Sequence, residues 1–377
     1  MKFSRILITF GTRPEAIKMA PLIQELRRHP EFEMKVCVTA QHREMLDHVL
    51  QVFDIKPDFD LDLMKPNQQL ADLTADVLRG VRDLCRQWRP DLLFVQGDTT
   101  TTFAASLAAF YEKIAVAHVE AGLRTHNRFA PWPEEINRRL TTVLAEVHYP
   151  PTEAARQNLL ADGVPGNSIV VTGNTVIDAL LSIVERLKHE PALNASFEKR
   201  FAFLGPKRRM ILVTGHRREN FGEGFQGICR GLRRLAQRPD VEIVYPVHLN
   251  PNVRRPVNEI LGGVQNVHLL EPLDYLPFTW LMHRSYLILT DSGGIQEEAP
   301  SLAKPTLVMR ETTERPEAIE AGTALLVGTD PNKIVAEATR LLDSRHDYEK
   351  MARVSNPFGS GDAARRIVDH LLTLRRD

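Results

Sequence analysis

Cysteine is scarce in this chain. Cys37, Cys85 and Cys229 are the only three in 377 residues, they are scattered, and no C-x-x-C pair occurs. An odd count without that spacing excludes a disulfide framework and argues against a structural zinc site. A basic excess is also missing: Lys plus Arg number 48 and Asp plus Glu number 48, a formal charge of zero. Proteins that track nucleic acid or an anionic membrane carry such an excess, so neither partner is expected and any bound anion must be met by a local cluster. No apolar run approaches the ~18 residues of a membrane span. The opening MKFSRILITFGTRPE leads directly into a strand, without a small-residue cleavage site behind an apolar segment. H-E-x-x-H, G-x-S-x-G and the G-x-x-x-x-G-K-[ST] spacing are absent as well. The reading is a soluble cytoplasmic protein. Its length suggests two or three domains, and 43% hydrophobic residues suffice for a core in each.

What is present is alternation. Arg5–Phe10, Met34–Thr39, Leu92–Gln96, Ala115–His118 and Val147–Tyr149 read as short strands, with helical patterns between them. Leu70, Leu73, Val77, Val81, Leu84 and Trp88 mark one helix face. Continuous apolar strands separated by helices of this length indicate parallel sheets covered on both faces and right-handed crossovers. The pattern restarts with Met210–Val213, Val241–Pro246, Val267–Leu270, Tyr286–Thr290, Thr306–Met309 and Ala324–Val327, after a polar helical stretch at about 175–209. The expected fold is α/β, two Rossmann-like doubly wound domains facing a central cleft. The first covers 1–172 and is completed by a last helix within 362–377, and the second covers 173–361. Such sheets bind ligands at their strand C-termini.

Several strand ends carry chemistry. Gly11-Thr12-Arg13-Pro14-Glu15 opens a helix, with Pro14 suited to the first turn and Arg13 and Lys18 able to converge on an anion. Pro21 should kink or restart that helix. Arg315-Pro-Glu-Ala-Ile echoes Arg13-Pro-Glu-Ala-Ile, either as shared helix-start chemistry or as a second arginine for a diphosphate. In Asp291-Ser292-Gly293-Gly294, Ser292 can cap a helix and the glycines permit close approach of a phosphate. Glu298 could meet a ribose diol or simply complement a helix dipole. Asp98, Glu120 and the Glu134-Glu135 pair lie near strand ends or helix starts. They are either caps and solvated acids or a set of acid/base groups. His216, after a strand, could support charge on a leaving phosphate. Gly222-Glu-Gly-Phe-Gln-Gly227 fits G-x-G-x-x-G, but His216–Phe221 separates it from the preceding strand, so a dinucleotide site is rejected. Asp58-Phe-Asp60-Leu-Asp62 resembles a metal-binding D-x-D yet reads better as a solvated strand or turn.

The stretches GTRPEAIKMAPL, TAQHREMLD, GDTTTTFAASLAAFY, HVEAGLRT, PWPEEINRRL, TGNTVIDAL, TGHRRENFG, YPVHLNPNVR, ILTDSGGIQEEAPSL and TTERPEA span nearly the whole chain in order. Together they resemble the non-hydrolysing UDP-N-acetylglucosamine 2-epimerases. The resemblance implies a two-domain glycosyltransferase-B-type fold. It also implies interconversion of UDP-N-acetylglucosamine and UDP-N-acetylmannosamine with no metal or oxidising cofactor, through elimination of UDP to 2-acetamidoglucal and re-addition. By motif, Asp98, Glu120, Glu134 and His216 match catalytic positions, with Asp98 or Glu120 as base and Glu134 as partner. Arg13, Lys18, Phe278, Ser292, Gly293, Gly294, Glu298 and Arg315 match nucleotide-diphosphate positions. Many bacterial relatives also bind UDP-N-acetylglucosamine as an activator. Gln41, Glu44, Asn67 and His248 correspond to that site, although some relatives have Gln at Glu44 and Arg at Asn67. Family members are commonly dimers, so a homodimer supplying N-acetylmannosamine for surface polysaccharide is expected. A glycosyltransferase of the same fold, a hydrolysing epimerase and a nucleotide-sugar sensor remain the rivals.

Overall fold

Arg5–Phe10 is buried over its last five residues, as a strand with a neighbour on each side must be. In the computed structural model, which describes residues 3–39, 43–63, 65 and 68–376, this strand is the centre of the first of two six-stranded sheets. The first sheet comprises β1 (Arg5–Phe10), β2 (Glu33–Val38), β3 (Phe59–Asp60), β4 (Leu92–Gln96), β5 (Ala115–Val119) and β6 (Val147–Tyr149). Their order is β3-β2-β1-β4-β5-β6, with every pairing parallel. The second comprises β7 (Arg209–Thr214), β8 (Val241–Pro246), β9 (Val267–Leu270), β10 (Leu287–Thr290), β11 (Thr306–Val308) and β12 (Ala324–Leu326). It is also wholly parallel, and from one edge it runs β9-β8-β7-β10-β11-β12. Both follow the doubly wound order, which reverses direction between the first and fourth strands of each sheet. The expected α/β class with two Rossmann-like domains is what the chain adopts.

The chain divides into two compact units, 1–179 with 358–377, and 180–357. Helix Thr175–His189 starts in the first unit and continues into the second. In the first unit, helix Leu70–Trp88 buries Leu73, Val77, Val81, Leu84, Cys85 and Trp88, the face its periodicity marks. This face joins Ala104, Ala105, Ala108 and Ala109 of helix Thr100–Tyr111 in one core cluster, where each fully buried aliphatic side chain contributes about 1.5–3 kcal/mol. Helix Ala363–Arg376 closes the unit. Asp178 accepts the N–H groups of Ala363 and Ala364 at 3.2 and 2.9 Å, and Tyr149 Oη lies 3.0 Å from His370 Nδ1.

One local expectation needs adjustment. Helix Arg13–Leu26 runs through Pro21 without restarting, because the proline removes one rung of the ladder while its ring is buried in the apolar face. The glycines of 222–227 serve packing. Gly222 turns with φ +82° before helix Glu223–Leu235, and a Cβ at Gly227 would meet the Thr329 carbonyl oxygen at 2.4 Å. In the acidic Asp58–Asp62 run, Asp58 Oδ2 accepts the Val36 N–H at 2.8 Å, and Phe59–Asp60 forms β3.

Candidate active site

In the first unit the residues gather at the C-terminal ends of β1, β4 and β5. Glu15, in the first turn after β1, is 2% exposed and binds two loops together. Its carboxylate accepts the N–H groups of Gly11 and Thr12 at 3.0 and 2.7 Å, and the hydroxyls of Thr99 and Thr102 at 2.6 and 3.1 Å. The first pair lies beside Arg13 and the second beside Asp98, so one buried acid fixes both loops at the point where the sheet reverses direction. Arg13 is half-buried there.

Glu120 follows β5 in the left-handed backbone region, φ +61°, a strained conformation for a residue with a Cβ. Donors surround its carboxylate. Oε1 accepts from Lys18 Nζ at 2.5 Å and from Asn174 Nδ2 at 2.9 Å, and Oε2 accepts from Gln96 Nε2. Gly97, just before Asp98, has φ +71°, a backbone conformation that favours glycine. Asp98 pairs with Arg138 at 2.6 Å. Burial raises its pKa to about 6. Arg138 and Lys18 oppose that shift, and Glu120 and Glu134 add to it. Asp98, Glu120, Glu134 and Lys18 therefore lie within one electrostatic neighbourhood. The Glu134-Glu135 pair divides by burial. Glu135 is fully buried and accepts the N–H groups of Thr125 and His126, whereas Glu134 is half-buried at the start of helix Glu134–Leu144. His118 is excluded as a proton carrier, because burial drives its pKa down to about 3 and its Nε2 lies 2.7 Å from the Gly97 carbonyl.

The second unit gathers cations at the ends of β7, β10 and β11. His216 and Arg217 follow β7, and Asp291 Oδ2 accepts both of their N–H groups at 2.8 Å. A Cβ at Gly293 would lie 3.8 Å from Arg217 Nη2 and 4.0 Å from Arg315 Cζ, so two guanidinium groups converge on that glycine. Arg217 Nε is buried without a hydrogen-bond acceptor among the described residues. Arg315 Nε donates to Glu297, which is 2% exposed, and its Nη1 donates to the Glu314 carbonyl at 3.0 Å. Ser292 occupies the cap position of helix Gly293–Glu298, but its side chain makes no cap hydrogen bond. That helix has six residues, under two turns. Glu298 Oε1 accepts from Tyr275 Oη at 3.0 Å, and Phe278 lies half-buried on helix Tyr275–Arg284.

Of the expected activator positions, His248 stacks on His216, with ring centroids 5.6 Å apart and planes at 22°. Gln41, Asn67 and the Glu44 side chain lie outside the described residues. The echo at Arg13 and Arg315 is not a repeat of the fold, since Arg13 follows β1 while Arg315 follows β11, whose counterpart is β5. Sequence reasoning passed over Glu15, Arg138, Asn174, Arg217 and Asp291. Each of them fixes or flanks a strand-end residue, and their pairing depends on loops distant in sequence.

A family model described as UDP-N-acetylglucosamine 2-epimerase matches residues 24–372. The chain belongs to this family. As a 2-epimerase it is an isomerase. A UDP-N-acetylglucosamine 2-epimerase of Yersinia pestis is 58% identical over 375 residues, covering 98% of this chain and 100% of the relative. The crystal structure of the family member from Neisseria meningitidis, bound to UDP-GlcNAc, superposes with a TM-score of 0.91 at 54% identity, covering 98% and 100% of the two chains. The more distant epimerase of Methanocaldococcus jannaschii, in complex with UDP-GlcNAc and UDP, gives 0.80 at 32% identity, covering 98% and 99%. The two-domain glycosyltransferase-B-type architecture is thus common to this chain and its family.

Proposed function

We propose that this epimerase interconverts UDP-N-acetylglucosamine and UDP-N-acetylmannosamine by eliminating UDP to 2-acetamidoglucal and adding it back with the C2 proton on the opposite face. The observation that carries the reading is the separation of charge. Three carboxylates share one neighbourhood in the first unit, and two convergent arginines and a histidine lie in the second. The C2–H of the sugar is not acidic, so cleavage of the C1–O bond runs ahead of proton loss and charges the ring positively. Carboxylates stabilise that charge, and cations stabilise the diphosphate that leaves.

Within this mechanism Asp98 is the base. A carboxyl raised to about 6 can both take and return a proton near neutral pH. Glu120, with three donors on its two oxygens, acts as a fixed negative charge. Glu134 is the partner for the other face, because Glu135 is committed to two backbone N–H groups. Arg13, Lys18, Arg217, Arg315 and His216 meet the diphosphate, Ser292, Gly293 and Gly294 allow its close approach, Phe278 flanks the nucleotide, and Glu298 meets the ribose.

We further infer a homodimer. Phe110, Tyr111, Leu140 and Val143 are exposed on two helices that pack together, and a second copy would cover them. Among the described residues no helix is long and apolar enough to cross a membrane, which agrees with a cytoplasmic supplier of N-acetylmannosamine units for surface polysaccharide. Incubation with UDP-N-acetylglucosamine in deuterated water, without acceptor, tests the reaction. UDP-N-acetylmannosamine with deuterium at C2 is expected. Free sugar would indicate hydrolysis, and an absence of exchange would remove the epimerisation mechanism.

A further inference from the structure

Asp291, at the end of β10, is fully buried, yet among the described residues only one of its two carboxylate oxygens has a hydrogen-bond partner. Oδ2 accepts the N–H groups of His216 and Arg217, each at 2.8 Å, with Asn220 Nδ2 at 3.4 Å. Oδ1 accepts none, and His216 Nδ1 lies 3.5 Å from it. A loop anchor needs a single acceptor oxygen, which a neutral amide would supply without the cost of burying a charge. The second oxygen is therefore the part that calls for explanation, since buried acceptors without a donor are rare and costly.

We propose that Asp291 is a positioning residue for His216. It holds the proton on Nδ1, leaves Nε2 to face the diphosphate, and supplies the counter-charge that lets the imidazole take a second proton when that anion arrives. The inference rests on the reading of His216 as a diphosphate-binding group, and it assigns the buried acid behind it. The two ring nitrogens then have distinct tasks, as a carboxylate-oriented histidine requires. The 3.5 Å separation shortens to a hydrogen bond as the ring becomes cationic.

Opposing influences act on the imidazole, whose side chain is 43% exposed. Burial lowers its pKa below the ordinary imidazole value, Asp291 raises it, and Arg217 and the stacked His248 lower it. With burial the largest of these influences, the ring is neutral in the unliganded unit at neutral pH. An incoming diphosphate adds its negative charge to that of Asp291 and reverses the balance. The proton gained on Nε2 is then directed at the phosphate oxygen that becomes anionic when the C1–O bond breaks.

The test uses the full chain with selectively 15N- and 13C-labelled histidine, and His216 resonances are assigned by their loss in His216→Asn. In the unmodified enzyme at high pH, the ring nitrogen shifts should report the Nδ1–H tautomer. The Nε2–H tautomer would overturn the proposal without any need for a variant. Asp291→Asn keeps one acceptor oxygen for the His216 and Arg217 N–H groups but removes the charge. It should lower the His216 titration midpoint by about one unit or more, a tenfold change in proton affinity. The rise of that midpoint on adding UDP should shrink. Turnover should fall roughly 10–100-fold, and UDP should bind more weakly in step with the smaller rise of the midpoint, because protonation of His216 and anion binding are linked. An unchanged midpoint in Asp291→Asn would make Asp291 a loop anchor only. These shifts are read without turnover, so a failure of C2 deuterium exchange would count against the epimerisation mechanism and leave the Asp291–His216 pair to be decided separately.

Discussion

β1 and β7 occupy the same place in their sheets, as do β4 and β10, and β5 and β11, so the loops that follow them can be compared position by position. After β5 comes an anion held by a cation, Glu120 by Lys18. After β11 comes a cation held by an anion, Arg315 by Glu297. At β4 and β10 the same residue type stands in both units with different duties. Asp98 keeps 27% of its side chain exposed beside Arg138 and is raised to about 6, whereas Asp291 is fully buried and holds the His216 loop. A single buried carboxylate bridges the reversal point of each sheet, Glu15 in one and Asp291 in the other. The comparison teaches that the doubly wound frame supplies equivalent positions, and that the sign of charge placed there decides the task.

The largest effect should come from breaking the first unit at Asp98. Asp98→Asn removes the proposed base and should reduce turnover and C2 deuterium exchange by roughly 10²–10⁴-fold. UDP affinity, measured by calorimetry, should change far less than turnover, because Asp98 is not itself one of the groups proposed to bind the diphosphate. The pH dependence follows the same group. Its pKa is raised, so the base is lost as pH falls through about 6, and kcat/KM should fall on the acid side with that midpoint. An acid limb that survives in Asp98→Asn would assign it to another group.

The reverse dissection removes Arg217. Arg217→Gln deletes a guanidinium that converges on Gly293, and a hydrogen bond to a charged group is worth about 1.5–3 kcal/mol, so UDP should bind roughly 10–100-fold more weakly. Arg217 suits this test better than Arg315, which is also paired with the buried Glu297. If Asp98→Asn weakened UDP binding as much as Arg217→Gln does, the proposed division of labour between the units would fail.

Much of this division was legible in the sequence. The strands announced themselves as apolar runs, because parallel strands covered on both faces have no polar side to alternate with. Asp98, Glu120, His216 and Arg315 stood out because they end strands or open helices. The supporting residues did not. Glu15 reads as an acid that complements its own helix start, and nothing local reveals that it also binds Thr99 and Thr102, 84 and 87 residues away. Asp291 reads only as the residue before the capping candidate Ser292, although it accepts from a loop 74 and 75 residues earlier. Glu134 and Glu135 are neighbours of one chemical type, and only the burial of Glu135 separates their duties. Contacts of this range come from sheet register, which a local pattern does not contain.

A smaller and purely structural effect is expected at Gly215, between β7 and His216. A Cβ there would lie 2.9 Å from Tyr245 Oη and 3.3 Å from Phe225 Cζ, both on fully buried side chains. Overpacking of this kind costs about 1–3 kcal/mol. Gly215→Ala should therefore lower the denaturant midpoint of the second unit, and weakened UDP binding should follow from the displaced His216 loop. A variant as stable as the native chain would mean that Tyr245 moves aside at little cost.

The smallest effect should come from Asn174, the residue before helix Thr175–His189. Its Oδ1 accepts the Val176 N–H at 3.1 Å, which leaves Nδ2 to donate to Glu120 Oε1 at 2.9 Å. The amide orientation is thus set by the helix start, with its N–H directed at Glu120. Asn174→Ala removes one of the donors that hold the Glu120 carboxylate. One such bond is worth about 0.5–1.5 kcal/mol, so turnover should fall roughly 2–10-fold with UDP affinity unchanged. Asn174→Asp has the opposite electrostatic consequence. It keeps the acceptor for Val176 but sets a second negative charge against Glu120, and it should cost more activity than alanine does. If alanine proved the worse of the two, the helix start rather than the orientation of Glu120 would be what Asn174 protects.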